Sequence, residues 1–144
     1  MARQDDAVRL AEIEVFNYRL FFYPIVRTDA FFFGELNVPD LANEYAGEPE
    51  RIAQTAIFDD GVVKGFVRVN GTEIEKLFVE PSFQNQGVGE KLLSYAIDTL
   101  GGKRLWVLEK NLRAIRFYER HGFRLTERKQ RLDDTSEYLI QMER

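Results

Sequence analysis

The sequence predicts a mixed α/β fold, an α+β arrangement in which an antiparallel meander joins one parallel crossover. Three observations predict it. The runs Thr55 to Phe58, Val62 to Val69 and Glu73 to Val79 are rich in β-formers and are separated by Asp59-Asp60-Gly61 and Asn70-Gly71, both tight-turn sequences. After Pro81 the apolar period lengthens, with Val88, Leu92, Leu93, Ala96, Ile97 and Leu100 falling on one helical face before Gly101-Gly102 stops it. Leu105-Trp106-Val107-Leu108 is then apolar on both faces, as a parallel-paired strand covered on two sides should be. The segment from Glu73 to Leu108 therefore reads as a βαβ crossover.

The remaining elements follow in order. A short strand is expected at Ala2 to Gln4, followed by a helix capped by Asp5 or Asp6 that runs through Ala7, Leu10 and Ile13 and ends before Pro24. A second helix is expected from Thr28 or Asp29 toward Asn43, with Pro39 kinking or splitting it. Beyond the crossover, Asn111 to Arg120 reads as a helix ended by Gly122, and Phe123 to Gln130 with Glu137 to Met142 as a closing hairpin around Asp133-Asp134. The expected order is β-α-α-β-β-β-α-β-α-β-β with a central mixed sheet, in a single domain covering residues 1–144.

Composition narrows the chemistry. There is no cysteine and one histidine, His121, so thiol acyl-enzymes, zinc ribbons and disulfide frameworks are excluded and a Ser-His-Asp apparatus or a metal centre is a poor fit. No apolar run approaches the ~20 residues needed to cross a bilayer, and Met1 opens no signal-peptide pattern, so a cytoplasmic protein without a membrane partner is expected. The net charge of −4 gives no reason to expect nucleic acid. That charge is uneven: residues 1–72 carry 7 basic and 12 acidic side chains, while Lys103 to Arg131 carries 10 basic against 3 acidic. The second stretch could receive an anion or be a solvated helix face and hairpin. Eight of the 19 aromatics lie in two early clusters, Phe16 to Tyr23 and Phe31 to Phe33, suited to a pocket or a homodimer surface.

The informative stretch is Leu77-Phe78-Val79-Glu80-Pro81-Ser82-Phe83-Gln84-Asn85-Gln86-Gly87-Val88-Gly89-Glu90, a strand, a loop and glycines opening a helix. Glycines there let a ligand approach the backbone, where the first-turn N–H groups and the positive end of the helix dipole face it. A diphosphate is the natural guest. A dinucleotide loop would need glycine where Leu92 stands, and a Walker loop fails because Gly102-Lys103 is followed by Arg104.

Gln84-Asn85-Gln86-Gly87-Val88-Gly89 resembles the Q/R-x-x-G-x-G/A loop of the GNAT (Gcn5-related N-acetyltransferase) superfamily. A second segment, Asn111-Leu112-Arg113-Ala114-Ile115-Arg116-Phe117-Tyr118-Glu119-Arg120-His121-Gly122-Phe123, is similar to that family's N-x-x-A-x-x-F-Y-x-x-x-G-F pattern. The resemblance covers Glu73 to Phe123. It implies the GNAT fold, a sheet splayed between the Glu73 to Val79 and Leu105 to Leu108 strands, and acetyl-CoA as the donor to a primary amine, small-molecule or protein, by direct attack in a ternary complex. By the same resemblance, Gln84 is a cofactor-binding residue, and the backbone amides of Asn85, Gln86, Gly87, Val88, Gly89 and Glu90 hold the pyrophosphate. Leu77, Phe78 and Val79 pair with pantetheine, Asn111 bonds the pantetheine arm, and Tyr118 protonates the departing thiolate; no metal is implied. Glu73 or Glu75 is the candidate base, because a lysine-like amine of pKa about 10.4 is only about one part in a thousand neutral near pH 7. Two other classes fit a weaker version of the motifs: an acyl-CoA-binding regulatory module without turnover, and a partner-binding domain without CoA.

Overall fold

The structure, a computed structural model, describes residues 1–144. The chain opens with a 3₁₀ turn at Gln4–Asp6 and helix α1 at Ala7–Asn17, whose Leu10, Ala11, Ile13 and Val15 are buried. The same rod continues as a π-helical turn, Tyr18–Phe22, and a single α turn, α2, at Tyr23–Val26. A second π turn at Phe31–Glu35 leads to α3 at Val38–Gly47 and the short α4 at Pro49–Ala53. Strands β1 (Thr55–Asp59), β2 (Val63–Asn70) and β3 (Glu73–Val79) form the antiparallel meander, and α5 (Val88–Asp98) crosses to β4 (Arg104–Leu108). Helix α6 (Leu112–Arg120) and the hairpin of β5 (Arg124–Arg131) and β6 (Tyr138–Glu143) complete the fold.

The six strands are ordered β1-β2-β3-β4-β6-β5, with β3 and β4 the parallel pair. Each face of the sheet carries its own core. One packs Val67, Val69 and Ile74 against Leu92, Leu93 and Ala96 of α5 and Ile115 of α6; the other packs Phe66 against Leu10, Ile13, Leu41 and Tyr45 of α1 and α3. Strand β5, on the edge, is exposed along most of its length and carries Arg124, Glu127, Arg128, Lys129 and Arg131, charges that discourage edge-to-edge pairing.

Four expectations are corrected. Ala2 to Gln4 is not a strand: Ala2 N donates to Thr55 O (2.8 Å), but no ladder follows, because Gln4 already begins the 3₁₀ turn. The first helix does not end before Pro24. The π turn shifts the backbone register, so Pro24 falls in the first turn of α2, where its missing N–H costs nothing, and the rod ends instead at Arg27 with φ 55°. The expected helix from Thr28 or Asp29 to Asn43 is split at Asn37, whose side chain caps α3 by accepting from Asp40 N (3.0 Å); Pro39 then sits in the first turn, and α3 runs on to Gly47. Helix α4 was not expected; its five residues are too few for a periodic signal.

Candidate active site

Strands β3 and β4 pair at one register position, Glu73 with Arg104, and then part. Lys103 N and Arg104 N both reach Thr72 O (2.8 and 3.2 Å), which pins the apex of the opening. Beyond it β4 keeps pairing with β6 from Arg104 through Leu108, while β3 keeps pairing with β2 up to Val79. The facing edges of β3 and β4 thus lose each other as partners. Glu80 N donates to Lys64 O (2.8 Å), and antiparallel pairing alternates, so the backbone groups of Phe78 and Glu80 are spent on β2. Those of Leu77 and Val79 point into the opening. The structure therefore separates the expected trio: Leu77 and Val79 offer main-chain groups to the cleft, and Phe78 offers a side chain to the opposite core, edge-on to Tyr18, Phe22 and Phe66.

At the outer end of β3, a 3₁₀ turn at Pro81–Phe83 is fixed by Glu80, whose carboxylate accepts from Ser82 N (2.7 Å). The loop then needs two left-handed residues, Asn85 (φ 63°) and Gly87 (φ 82°), the second of which starts α5. Lys91 N makes the first helical bond, to Gly87 O (3.2 Å), which leaves the N–H groups of Val88, Gly89 and Glu90 without acceptors in the protein. That is an anion-receptive helix end beside the cleft. Gly89 sits where a Cβ would lie 3.5 Å from Phe117 and 3.6 Å from Val79, so a methyl fits and a large side chain does not. Glu90 is exposed and turns toward His121 (3.7 Å), whose Nδ1 lies 2.8 Å from Phe117 O at the end of α6.

From the far wall, α6 brings Asn111 and Tyr118. Asn111 caps the helix, its Oδ1 accepting from Ala114 N (3.2 Å), which leaves its Nδ2 free to donate. Tyr118 packs edge-on against Phe117 and Phe123, and its hydroxyl has no hydrogen-bond partner in the protein and is not sealed from solvent. Burial of the ring among these aromatics pushes the phenol above its ordinary range, so it stays protonated at neutral pH.

The two glutamates differ. The β2–β3 register skips Glu75, a bulge that leaves it opposite no residue of its own. Both oxygens of its carboxylate are engaged, accepting from Arg68 Nε (3.0 Å) and Asn70 Nδ2 (3.1 Å). Glu73 makes no side-chain bond, and it stands at the apex of the opening on the face opposite the buried Ile74, the face that α1 and α3 cover.

Two groups escaped sequence reasoning. The first is a buried polar network in which Tyr45 donates to Glu14 (2.6 Å), Arg68 donates to Tyr45 (3.1 Å) and Lys76 donates to Tyr18. Arg68 at 4% exposure and Glu14 at 6% are charges flanked in sequence by Val67, Val69, Ile13 and Val15, a charge-in-apolar pattern that was available as a signal. The second is Asn17, 3% exposed at the end of α1, which donates to Ile13 O (2.8 Å) and, across the fold, to Val79 O (2.9 Å).

A parallel strand pair that opens beside a glycine-led helix terminus can hold a ligand that is part amide thread and part phosphate, the class of chemistry that acyl-CoA transferases share. Residues 51–125 match the Acetyltransferase (GNAT) domain family. The chain is 31% identical over 103 residues to peptidyl-lysine N-acetyltransferase YjaB of Salmonella typhimurium, a match spanning 65% of this chain and 70% of that protein. Its fold is shared with the solution structure of apo-form YjaB from Escherichia coli (TM-score 0.73, 21% identity, 99% of this chain and 92% of that one). It is also shared with the PaiA N-acetyltransferase of Thermoplasma acidophilum, crystallised in complex with coenzyme A (TM-score 0.67, 18% identity, 100% and 96%). The chain belongs to the GNAT acetyltransferase family, and it is an acetyl-CoA-dependent N-acetyltransferase.

Proposed function

We propose that residues 1–144 act as one domain that transfers the acetyl group of acetyl-CoA to the side-chain amine of a peptidyl lysine. The observation that carries the donor half is the single β3–β4 pairing position, with the main-chain groups of Leu77 and Val79 facing the opening without a strand partner. The acceptor half is supported by the activity that the YjaB relative's name states. In this reading acetyl-CoA lays its pantetheine amides along Leu77 and Val79, Asn111 Nδ2 donates to the arm, and the pyrophosphate meets the N–H groups of Val88, Gly89 and Glu90 behind the Asn85 to Gly87 turn. The Leu77 amide donates to the thioester oxygen where negative charge develops.

Glu73, unengaged and at the apex, relays the amine proton through water; Glu75 instead holds Arg68 in place. The amine attacks the thioester carbon, the carbon–sulfur bond breaks, and the thiolate leaves as CoA. A thiol of pKa about 8.5 does not fully deprotonate a phenol held above its ordinary value, so Tyr118 acts mainly by donating a hydrogen bond to the departing sulfur. Release of free thiol on incubation with lysine peptides, polyamines and aminoglycosides tests the acceptor class: fastest turnover on the peptides supports it, and turnover confined to the small amines overturns it. Glu73→Gln should lower kcat/KM while acetyl-CoA affinity stays near wild type, whereas Glu75→Gln should alter stability first. A cytoplasmic setting and a homodimer belong to the same proposal, and cell fractionation and sedimentation test them.

A further inference from the structure

The carbonyl of Val79 is where the strand partner of β3 is missing, and it is already fully used. A carbonyl oxygen has two lone pairs, and here they accept from Asn17 Nδ2 (2.9 Å) and Gln84 Nε2 (3.2 Å). The two donors are not equivalent. Both hydrogens of the Asn17 amide go to main-chain oxygens at 2.8 and 2.9 Å, and the residue is buried, so it is fixed. Gln84 Nε2 makes two longer bonds, 3.2 Å to Val79 O and 3.4 Å to Asn17 Oδ1, and its tightest contact is on the other side, where Oε1 accepts from Arg113 Nη2 at 2.7 Å. Arg113 is exposed and its guanidinium lies 4.6 Å from the centre of the Phe21 ring, so these contacts tie the loop before α5 to α6 and to the π turn after α1.

We infer that Gln84 and Arg113 form an exchangeable latch across the cleft: an amide N–H of the pantetheine arm takes Val79 O from Gln84, and Gln84, turning away, releases Arg113. The inference rests on the proposed placement of pantetheine along β3. An incoming amide cannot add a third bond to Val79 O, and of the two side chains in its way only Gln84 can leave without breaking a buried contact. Release of Arg113 also loosens its contact with Phe21, so arrival of the cofactor is felt by the wall of the acceptor side.

The latch predicts signs opposite to those of an ordinary binding residue. Binding of pantetheine, which carries no phosphate, and of CoA is measured by calorimetry on wild type, Gln84→Ala and Arg113→Ala. Gln84→Ala should tighten pantetheine about threefold to tenfold, the worth of one net hydrogen bond no longer displaced. Arg113→Ala should also tighten pantetheine, because Gln84 loses its anchor, and the gain should be smaller for CoA, whose phosphates lose a cation. Weaker pantetheine binding in either variant, or none of these changes, overturns the latch. If wild type itself binds neither ligand, it is the placement of the cofactor that fails.

Discussion

Residues 73–123 and residues 1–54 build the two sides of this molecule by different means. In the first, the groups that matter are main-chain amides placed by short-range rules: a strand end, two left-handed residues, a helix start and a helix cap. In the second, they are side chains that meet across long stretches of chain, Glu14 with Tyr45 31 residues away, Tyr18 with Lys76 58 away and Asn17 with Val79 62 away. Local chemistry leaves a spaced motif, whereas a tertiary pairing leaves only two residues that each look out of place. Residues 73–123 are therefore readable as a pattern, and residues 1–54 as a set of anomalies.

The largest effect should come from the anomalous side. Arg68→Met removes the buried donor to Tyr45 and leaves the buried Glu14 without its cation, and breaking such a network by one partner costs about 3–5 kcal/mol. Urea unfolding should show that loss, while acetyl-CoA affinity measured in the cold, where the variant is folded, stays close to wild type. A stable variant would mean that the charges under α1 and α3 merely tolerate burial, and the contrast between the two sides would lose its physical basis.

Gly89→Trp is the matching break on the motif side. The space beyond the position of a Cβ at 89 is bounded by Phe117 and Val79, so an indole must lie in the cleft mouth, and acetyl-CoA affinity should fall about a hundredfold, some 3 kcal/mol of overpacking expressed at the ligand. Position 89 is in the first turn of α5 and outside the buried core, so thermal stability should change little. Unchanged acetyl-CoA affinity would remove this helix start from the cofactor site.

The same division explains what was legible. Strands β1 to β3, the α5 crossover and α6 carry their own signals in Asp60-Gly61, Asn70-Gly71, the heptad-like spacing from Val88 to Leu100 and the cap at Asn111, and they form within a residue or two of the expected limits. The helical layer was misread where a π turn intervened. One extra residue per turn at Tyr18–Phe22 and again at Phe31–Glu35 resets the face that later side chains present, and the first lets Pro24 start a turn that its position seemed to forbid, while Pro39 follows the break at Asn37. In the site, Glu73 and Glu75, two apart on one strand, are equivalent only under strict alternation, which the bulge at Glu75 interrupts. Asn17 carried no motif at all.

A smaller effect sharpens the role of Tyr118. Its hydroxyl bonds to nothing in the protein, so Tyr118→Phe should leave stability and acetyl-CoA affinity near wild type. Turnover should fall about tenfold, less than the roughly hundredfold or more of a donor that transfers its proton fully, since the phenol is too weak an acid to hand its proton over completely. The shape of the pH profile between 7 and 9 should persist, because the phenol is protonated throughout. A variant with full turnover would reassign the hydroxyl to packing.

The mildest expectation spans both sides. Of the six tyrosines, Tyr18, Tyr45 and Tyr118 are held above their ordinary range chiefly by burial, with the Glu14 carboxylate adding to it at Tyr45. In the unfolded chain each phenol loses its proton near pH 10, while in the folded chain these three retain theirs, so above that pH the unfolded state binds fewer protons and stability must fall as pH rises. For a tyrosine as buried as Tyr45 the slope approaches about 1.4 kcal/mol per pH unit once the unfolded phenol is ionised. Absorbance at alkaline pH should thus show part of the tyrosine signal appearing only with unfolding. Tyr45→Phe and Tyr118→Phe should each lessen the late step, the first from the side-chain network and the second from the aromatic packing of α6; a single smooth titration of all six would show that neither ring is held as the packing of Tyr45 and Tyr118 requires.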